Sequence, residues 1–152
     1  MRMWISSVVV GLSLVSMANA QETIVSFEGL GRAGLYSANF ERYFTKRFGV
    51  GMGIGILGFS NENSFIVPLY FSAKPIGDKH SMYVGGGTTI TRSNLTLIWP
   101  SSRDYETSVL GSATLGYQYR TVGGMVIRPT VNFFFPRDGL VAWPGIMIGR
   151  SF

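Results

Sequence analysis

From residue 49 to residue 56 every second position has no side chain. The stretch GVGMGIGI sets Gly49, Gly51, Gly53 and Gly55 between Val50, Met52, Ile54 and Ile56. A nucleotide-cradling loop needs a G-x-G-x-x-G spacing that opens a helix. Here the spacing is strictly two, and no helical pattern follows. A period of two belongs to an extended strand, whose successive side chains point to opposite faces. One face of this strand is bare backbone and the other is apolar.

The same period recurs throughout, and no segment sustains a 3.6-residue repeat. It predicts eight strands, at about 22–32, 35–45, 47–58, 64–75, 80–92, 105–120, 124–135 and 139–152. Sorting each by parity gives one greasy face and one small polar face. Ser37, Asn39 and Glu41 oppose Tyr36, Ala38, Phe40 and Phe44. Ser112, Thr114, Gly116 and Gln118 oppose Val109, Ala113, Leu115 and Tyr117. Arg128, Thr130 and Asn132 oppose Ile127, Val131 and Phe133. The glycines of 49–55 continue the small polar face.

Two architectures produce this alternation. A soluble sandwich buries the apolar face and wets the other. A membrane barrel turns the apolar face to lipid and the polar face to its lumen. The polar face separates them. A water-facing sheet carries many Lys and Glu. Here charged residues are only 14% of the chain, against about 25% in an ordinary soluble domain. The narrow interior of an eight-stranded barrel admits small side chains. The expected fold is therefore all-β, an eight-stranded antiparallel up-and-down transmembrane barrel. On this reading Gly49, Gly51, Gly53 and Gly55 line the inner wall and leave volume for larger inward neighbours. Aromatic residues gather near the expected strand ends, among them Tyr36, Phe44, Phe48, Phe59, Phe65, Tyr117, Tyr119, Phe133, Phe135 and Phe152, as interfacial girdles require. Pro68, Pro129 and Pro144 fall inside strands and are expected to mark bulges or bends.

The first twenty residues stand apart. MRMWISSVVVGLSLVSMANA has a basic start at Arg2, an apolar run from Trp4 to about Val15, and Ala18-Asn19-Ala20 at its close. That is the pattern of a cleaved secretory signal. The expected division is a signal peptide at 1–20 and a barrel domain at 21–152.

Five charges share the parity of the polar face: Glu28, Glu41, Lys74, Arg120 and Arg128. A charge in a narrow lumen must pair or reach water. Glu28 and Glu41 are expected to pair with Arg128, with Lys74 and Arg120 nearer the periplasmic mouth, so that the network plugs the lumen.

The chain ends PGIMIGRSF. Ile146, Ile148 and the terminal Phe152 resemble the signal that the barrel-assembly machinery reads in bacterial outer-membrane proteins. Arg150 departs from it, standing where an aromatic or apolar residue is usual. FEGLGRAGLYSANFERYF (27–44), LGYQYR (115–120) and PGIMIGRSF (144–152) together resemble the small outer-membrane β-barrels of the Bacteroidota type. The resemblance implies the outer membrane of a Gram-negative bacterium, contact with outer-membrane lipid and lipopolysaccharide, and a monomer. It implies almost nothing about activity. Arg32, Arg92, Arg103 and Arg137 fall in outer connections, where they are expected to meet lipopolysaccharide phosphates. Connection 92–105 contains the apolar LTLIW. It either packs over the barrel mouth or continues the fifth and sixth strands as a ribbon able to engage a surface partner.

Several chemistries are excluded or disfavoured. There is no cysteine, hence no disulfide, thiolate metal site or lipidated cysteine. His80 is the single histidine, and no metal or cofactor site is implied. Some eight-stranded outer-membrane barrels modify lipid A. A catalytic triad here would have to use His80, which falls with Asp78 and Ser81 at a periplasmic turn, away from the leaflet that holds lipid A. The net charge of +5 and pI of about 9.8 come from scattered residues, without the basic run that nucleic acid would need. The expected role is structural or surface-interacting and non-enzymatic. The alternatives are a narrow porin-like channel for small solutes and, less favoured, a lipid A-modifying enzyme.

Overall fold

Each strand pairs antiparallel with the next, and the last returns to the first. The computed structural model describes residues 22–56, 65–77, 79–93, 106–136 and 139–152. Its strands are β1 (Glu22–Gly31), β2 (Gly34–Tyr43), β3 (Phe48–Ile56), β4 (Phe65–Ala73), β5 (His80–Ser93), β6 (Glu106–Arg120), β7 (Met125–Phe135) and β8 (Val141–Ser151). They form a closed barrel in the order β1 to β8. Closure removes every free edge within the ring. At the seam Ile24 lies opposite Ser151 and Gly29 opposite Ile146. Beyond it the Thr23 amide donates to the Phe152 carbonyl at 3.1 Å, and the Phe152 amide to Thr23 at 2.8 Å. Both ends of the described chain therefore lie at one rim, here called the terminal end.

Burial follows parity. Phe27, Phe40, Met52, Phe71, Val109 and Ile148 stand on the outer wall and are each at least 39% exposed. Glu28, Asn39, Glu41, Ser72, Thr114, Gln118 and Arg128 face in and are at most 5% exposed. The greasy face is thus the outer one, the reverse of a soluble sandwich. The inner wall is not wholly polar. Ile24, Tyr43, Val126 and Met147 form a small buried apolar cluster.

The glycines of β3 are inner-wall positions, and larger residues fill the space beside them. Gly51 lies opposite Tyr70, whose ring occupies the place a Cβ on Gly51 would take. Gly49 lies opposite Tyr43, whose ring would sit 3.0 Å from such a Cβ.

Of the bulges or bends expected at the prolines, the ladders show no bulge. In the β3–β4 ladder Met52 pairs with Leu69 and Gly55 with Ile66, so the register on both sides of Pro68 is the same. The β6–β7 ladder likewise keeps its register across Pro129, from Gly116–Thr130 to Tyr119–Ile127. A missing N–H interrupts the ladder locally without adding a residue to either strand. Pro144 pairs with Val131 at a height where β8 has already left β1.

Connections fall in two sets. Those joining β2–β3, β4–β5 and β6–β7 lie at the terminal end, and the other four at the opposite, far end. β5 and β6 stay paired out to Ser93–Glu106, whereas β7 leaves β6 at Gly111. β6 therefore extends beyond β7, while β5 stays paired with β4 as far as Arg92. The apolar stretch at 94–105 lies outside the described residues, as do the signal segment and Phe59.

Candidate functional site

The lumen holds the only dense gathering of charge among the described residues. At its centre Arg128 of β7 meets Glu41 of β2. Nη1 donates to Oε1 at 2.7 Å and Nη2 to Oε2 at 2.8 Å. Both residues are 1% exposed. The same guanidinium donates from Nε and Nη2 to Gln118 Oε1 at 3.1 and 2.6 Å. A planar fork meeting a carboxylate with two parallel bonds is the strongest pairing these side chains make.

Aromatic rings extend this pair along the lumen. The Arg128 guanidinium lies 3.7 Å from the centroid of Tyr83, and Tyr83 donates its hydroxyl to Glu41 at 2.9 Å. On the far side Arg32 donates to the Tyr83 oxygen at 3.1 Å and lies 3.8 Å from the Tyr70 ring. Toward the terminal end Tyr43 donates to Glu41 at 3.4 Å, and Lys74 stands 3.8 Å from the Tyr43 ring. Cations and rings alternate along the lumen. Each ring face attracts the cation above it, and more strongly where water is excluded.

Glu28 is not part of the central pair, which corrects the expectation that it would share Arg128. Four of the five Arg128 donor hydrogens are already committed to Glu41 and Gln118. Glu28 instead faces Arg32 at 3.7 Å and accepts from Asn39 at 3.4 Å. Arg32 itself is 4% exposed, so it is no outward contact for lipopolysaccharide. Leu30 adopts a left-handed conformation (φ 53°), which breaks the alternation, and Gly31, Arg32 and Ala33 are all buried. The β1–β2 tip thus folds its arginine into the barrel mouth.

At the terminal end Lys74 and Arg120 share one carboxylate, that of Glu22. The distances are 2.5 Å from Lys74 Nζ and 2.9 Å from Arg120 Nη1. Burial pushes the Lys74 ammonium below its ordinary range, and Glu22 opposes that shift.

Sequence reasoning missed Glu22, Arg32, Gln118, Tyr43 and Tyr83 as members of the lumen network. Parity held a usable signal for the tyrosines, because Tyr43, Tyr70 and Tyr83 all fall on the polar face opposite or near glycines. No such signal existed for Arg32, whose strand parity is lost at Leu30.

The remaining expected residues lie on the outer wall or at the rims. Ile146, Ile148 and Phe152 are 50%, 54% and 73% exposed. Tyr36, Phe44, Phe48, Phe65, Tyr117 and Phe135 are exposed near strand ends. His80 is exposed at the terminal rim and bonded to the Tyr117 hydroxyl, while its neighbour Ser81 is buried on the inner face. Asp78, Arg103 and Arg137 lie outside the described residues. Among the described residues no three His, Cys, Asp or Glu side chains gather as metal ligands.

No protein-family model matches the chain, and no curated protein does. Solved structures do. The N-terminal β-barrel domain of Pseudomonas aeruginosa OprF superposes with a TM-score of 0.68 at 14% identity, covering 88% of this chain and 98% of that one. This chain has the fold of the small outer-membrane barrels. The Yersinia pestis outer-membrane protein Ail, solved in a phospholipid bilayer nanodisc, matches with a TM-score of 0.53 at 13% identity over 88% of this chain and 99% of its own. A de novo designed protein, TMB2.3, matches with a TM-score of 0.51 at 13% identity, over 88% of this chain and 93% of that one. Identities this low carry the fold and nothing more specific.

Proposed function

We propose that the mature chain, freed of residues 1–20, is an integral outer-membrane barrel of a Gram-negative bacterium with a sealed lumen and a structural or surface-interaction role. The observation that carries this reading is the Arg128–Glu41 fork, closed above and below by Tyr83 and Tyr43. A solute passing through would have to separate a desolvated ion pair, which costs several kcal/mol. The exposed apolar outer wall supports lipid as its surroundings. The terminal end then faces the periplasm, and the end of β6 that extends beyond β7 stands outside, where it is available to a surface partner. Phe152 with Ile146 and Ile148 serves as the assembly signal. The stretches 27–44, 115–120 and 144–152 support a relationship to the Bacteroidota-type short barrels. The opposed directions of His80 and Ser81 favour a non-enzymatic role.

Planar-bilayer recording of the folded mature chain tests the seal. The expected trace is a closed baseline, and a steady open pore of appreciable conductance would replace this reading with the narrow-channel one. Fractionation with a gel run before and after boiling tests the location. A folded barrel migrates differently in the two lanes and stays with the outer membrane.

A further inference from the structure

The terminal mouth of the lumen carries more positive charge than it neutralises. Lys74 and Arg120 share the one carboxylate of Glu22. Lys79 stands beside them, because the Arg120 amide donates to the Lys79 carbonyl at 2.9 Å. Glu22 is thus set against three cations, and farther in the Arg128–Glu41 pair is already balanced. Asp78 lies outside the described residues. The Arg120 guanidinium commits only Nη1 to Glu22, which leaves four of its five N–H hydrogens for another acceptor. At 35% exposure it is open to a ligand from solution.

A cavity of about 350 Å³ opens beside these cations, lined by Lys79, Arg120, Thr121, Val122, Gly124 and Ser151. Its wall holds two cations, two hydroxyls and no carboxylate. The β6–β7 turn and the end of β8 frame it. The Gly124 amide donates to the Thr121 carbonyl at 3.1 Å, and the Ser151 amide to the Gly124 carbonyl at 2.7 Å. Gly124 takes a φ of 81°, and a Cβ there would stand 2.9 Å from the Ser151 carbonyl, so bare backbone keeps the turn against β8. Thr121 Oγ1 accepts from the Met125 amide at 3.0 Å, which leaves its hydroxyl hydrogen to donate. Val122, fully exposed, adds an apolar edge. The volume is that of a small-molecule site, of which a bare phosphate would fill only part.

We propose that this cavity binds an organic phosphate monoester, its phosphate held between Arg120 and Lys79 with the Thr121 and Ser151 hydroxyls donating, and its carbon skeleton against Val122. Guanidinium meets phosphate through parallel N–H bonds, and the flexible ammonium adds a point charge. A phosphate monoester carries close to two negative charges at neutral pH, which matches the two positive charges that Glu22 leaves over. The phosphate belongs either to a soluble ester or to a lipid headgroup at the same rim. That the ligand comes from the periplasm rests on the reading above. The cavity itself needs only the closed ring that sets Ser151 beside Gly124.

Amide NMR of the folded mature chain in lauryldimethylamine oxide micelles, titrated with glycerol 3-phosphate, glycerol or dihexanoyl phosphatidic acid, tests the proposal. Glycerol 3-phosphate is expected to give saturable shifts at Arg120, Thr121, Gly124 and Ser151, and glycerol none. Lys79→Gln, at an exposed position, should weaken binding about tenfold, the worth of one charge-assisted hydrogen bond. Lys46→Gln with Arg47→Gln, on the β2–β3 turn of the same rim, should leave it unchanged. Saturation at lower concentration by the phosphatidic acid would assign the phosphate to a lipid headgroup, and the reverse order to a soluble ester; either supports the site. No saturable shift with either phosphate, equal shifts with glycerol, an unchanged affinity in Lys79→Gln, or an equal loss in the Lys46 and Arg47 double variant would each overturn the site and leave the barrel reading in place. A spectrum without dispersed strand amides would overturn the closed barrel and the site together.

Discussion

Replacing Arg128 with alanine removes the centre of the lumen network. The Glu41 carboxylate, 1% exposed, is then left with Tyr83 and Tyr43 hydroxyls as donors, and it loses the cation that it touches. Gln118 Oε1 loses both Arg128 bonds, and the Tyr83 face loses the cation at 3.7 Å. Breaking a buried ion pair by deleting one partner costs about 3–5 kcal/mol. The lost ring contact is worth up to about 2 kcal/mol when desolvated, but it shares atoms with the pair and does not simply add. The net expectation is a loss of about 4 kcal/mol. Equilibrium urea unfolding in phospholipid vesicles, followed by tryptophan fluorescence, measures it. Arg128→Met with Glu41→Leu removes both charges. The double variant should recover roughly 2–3 kcal/mol of the summed single losses, because a buried pair replaced by apolar groups is often neutral. Recovery stays partial because Gln118 Oε1 loses its Arg128 donors and the Tyr83 hydroxyl hydrogen loses its acceptor. An unchanged midpoint for Arg128→Ala, or strictly additive single losses, would mean that the fork does not hold the barrel together.

Other consequences are checked by the same folding assays. Glu22→Gln releases Lys74 and Arg120 together, yet it should cost less than Arg128→Ala, because Arg120 is 35% exposed and water screens it; comparing the two midpoints settles the order. Gly51→Leu should block folding, since Tyr70 occupies the space, and Tyr70→Ala in the same chain should restore a heat-modifiable band. Met52→Arg places a charge on the apolar outer wall, where Met52 is 52% exposed. In vesicles it should cost about 2–4 kcal/mol, whereas a water-facing wall would leave the midpoint unchanged. Removing Phe152 should lower the folded fraction in cells more than refolding in detergent, if assembly machinery reads that residue.

The strand count and the inward or outward sense of nearly every strand residue were legible in the sequence. Parity is a local property. Side chains alternate along a strand whatever its partners are, so Gly51, Glu41 and Arg128 could be assigned to one face before any pairing was known. Ladder register around the prolines was not legible, because a missing N–H can either open a gap or force a bulge, and neighbouring strands decide which. The pairing of charges was also out of reach. Glu41 and Arg128 stand 87 residues apart, and only closure of the ring sets β2 across the lumen from β7. Glu22, 98 residues from Arg120, depends on the same closure. Arg32 depended on one left-handed residue, Leu30, which turns a surface tip inward. The sequence alone thus determined which side chains would share an interior. The tertiary structure decided which would touch, because contact across a lumen is set by closure and register, neither of which a single strand contains.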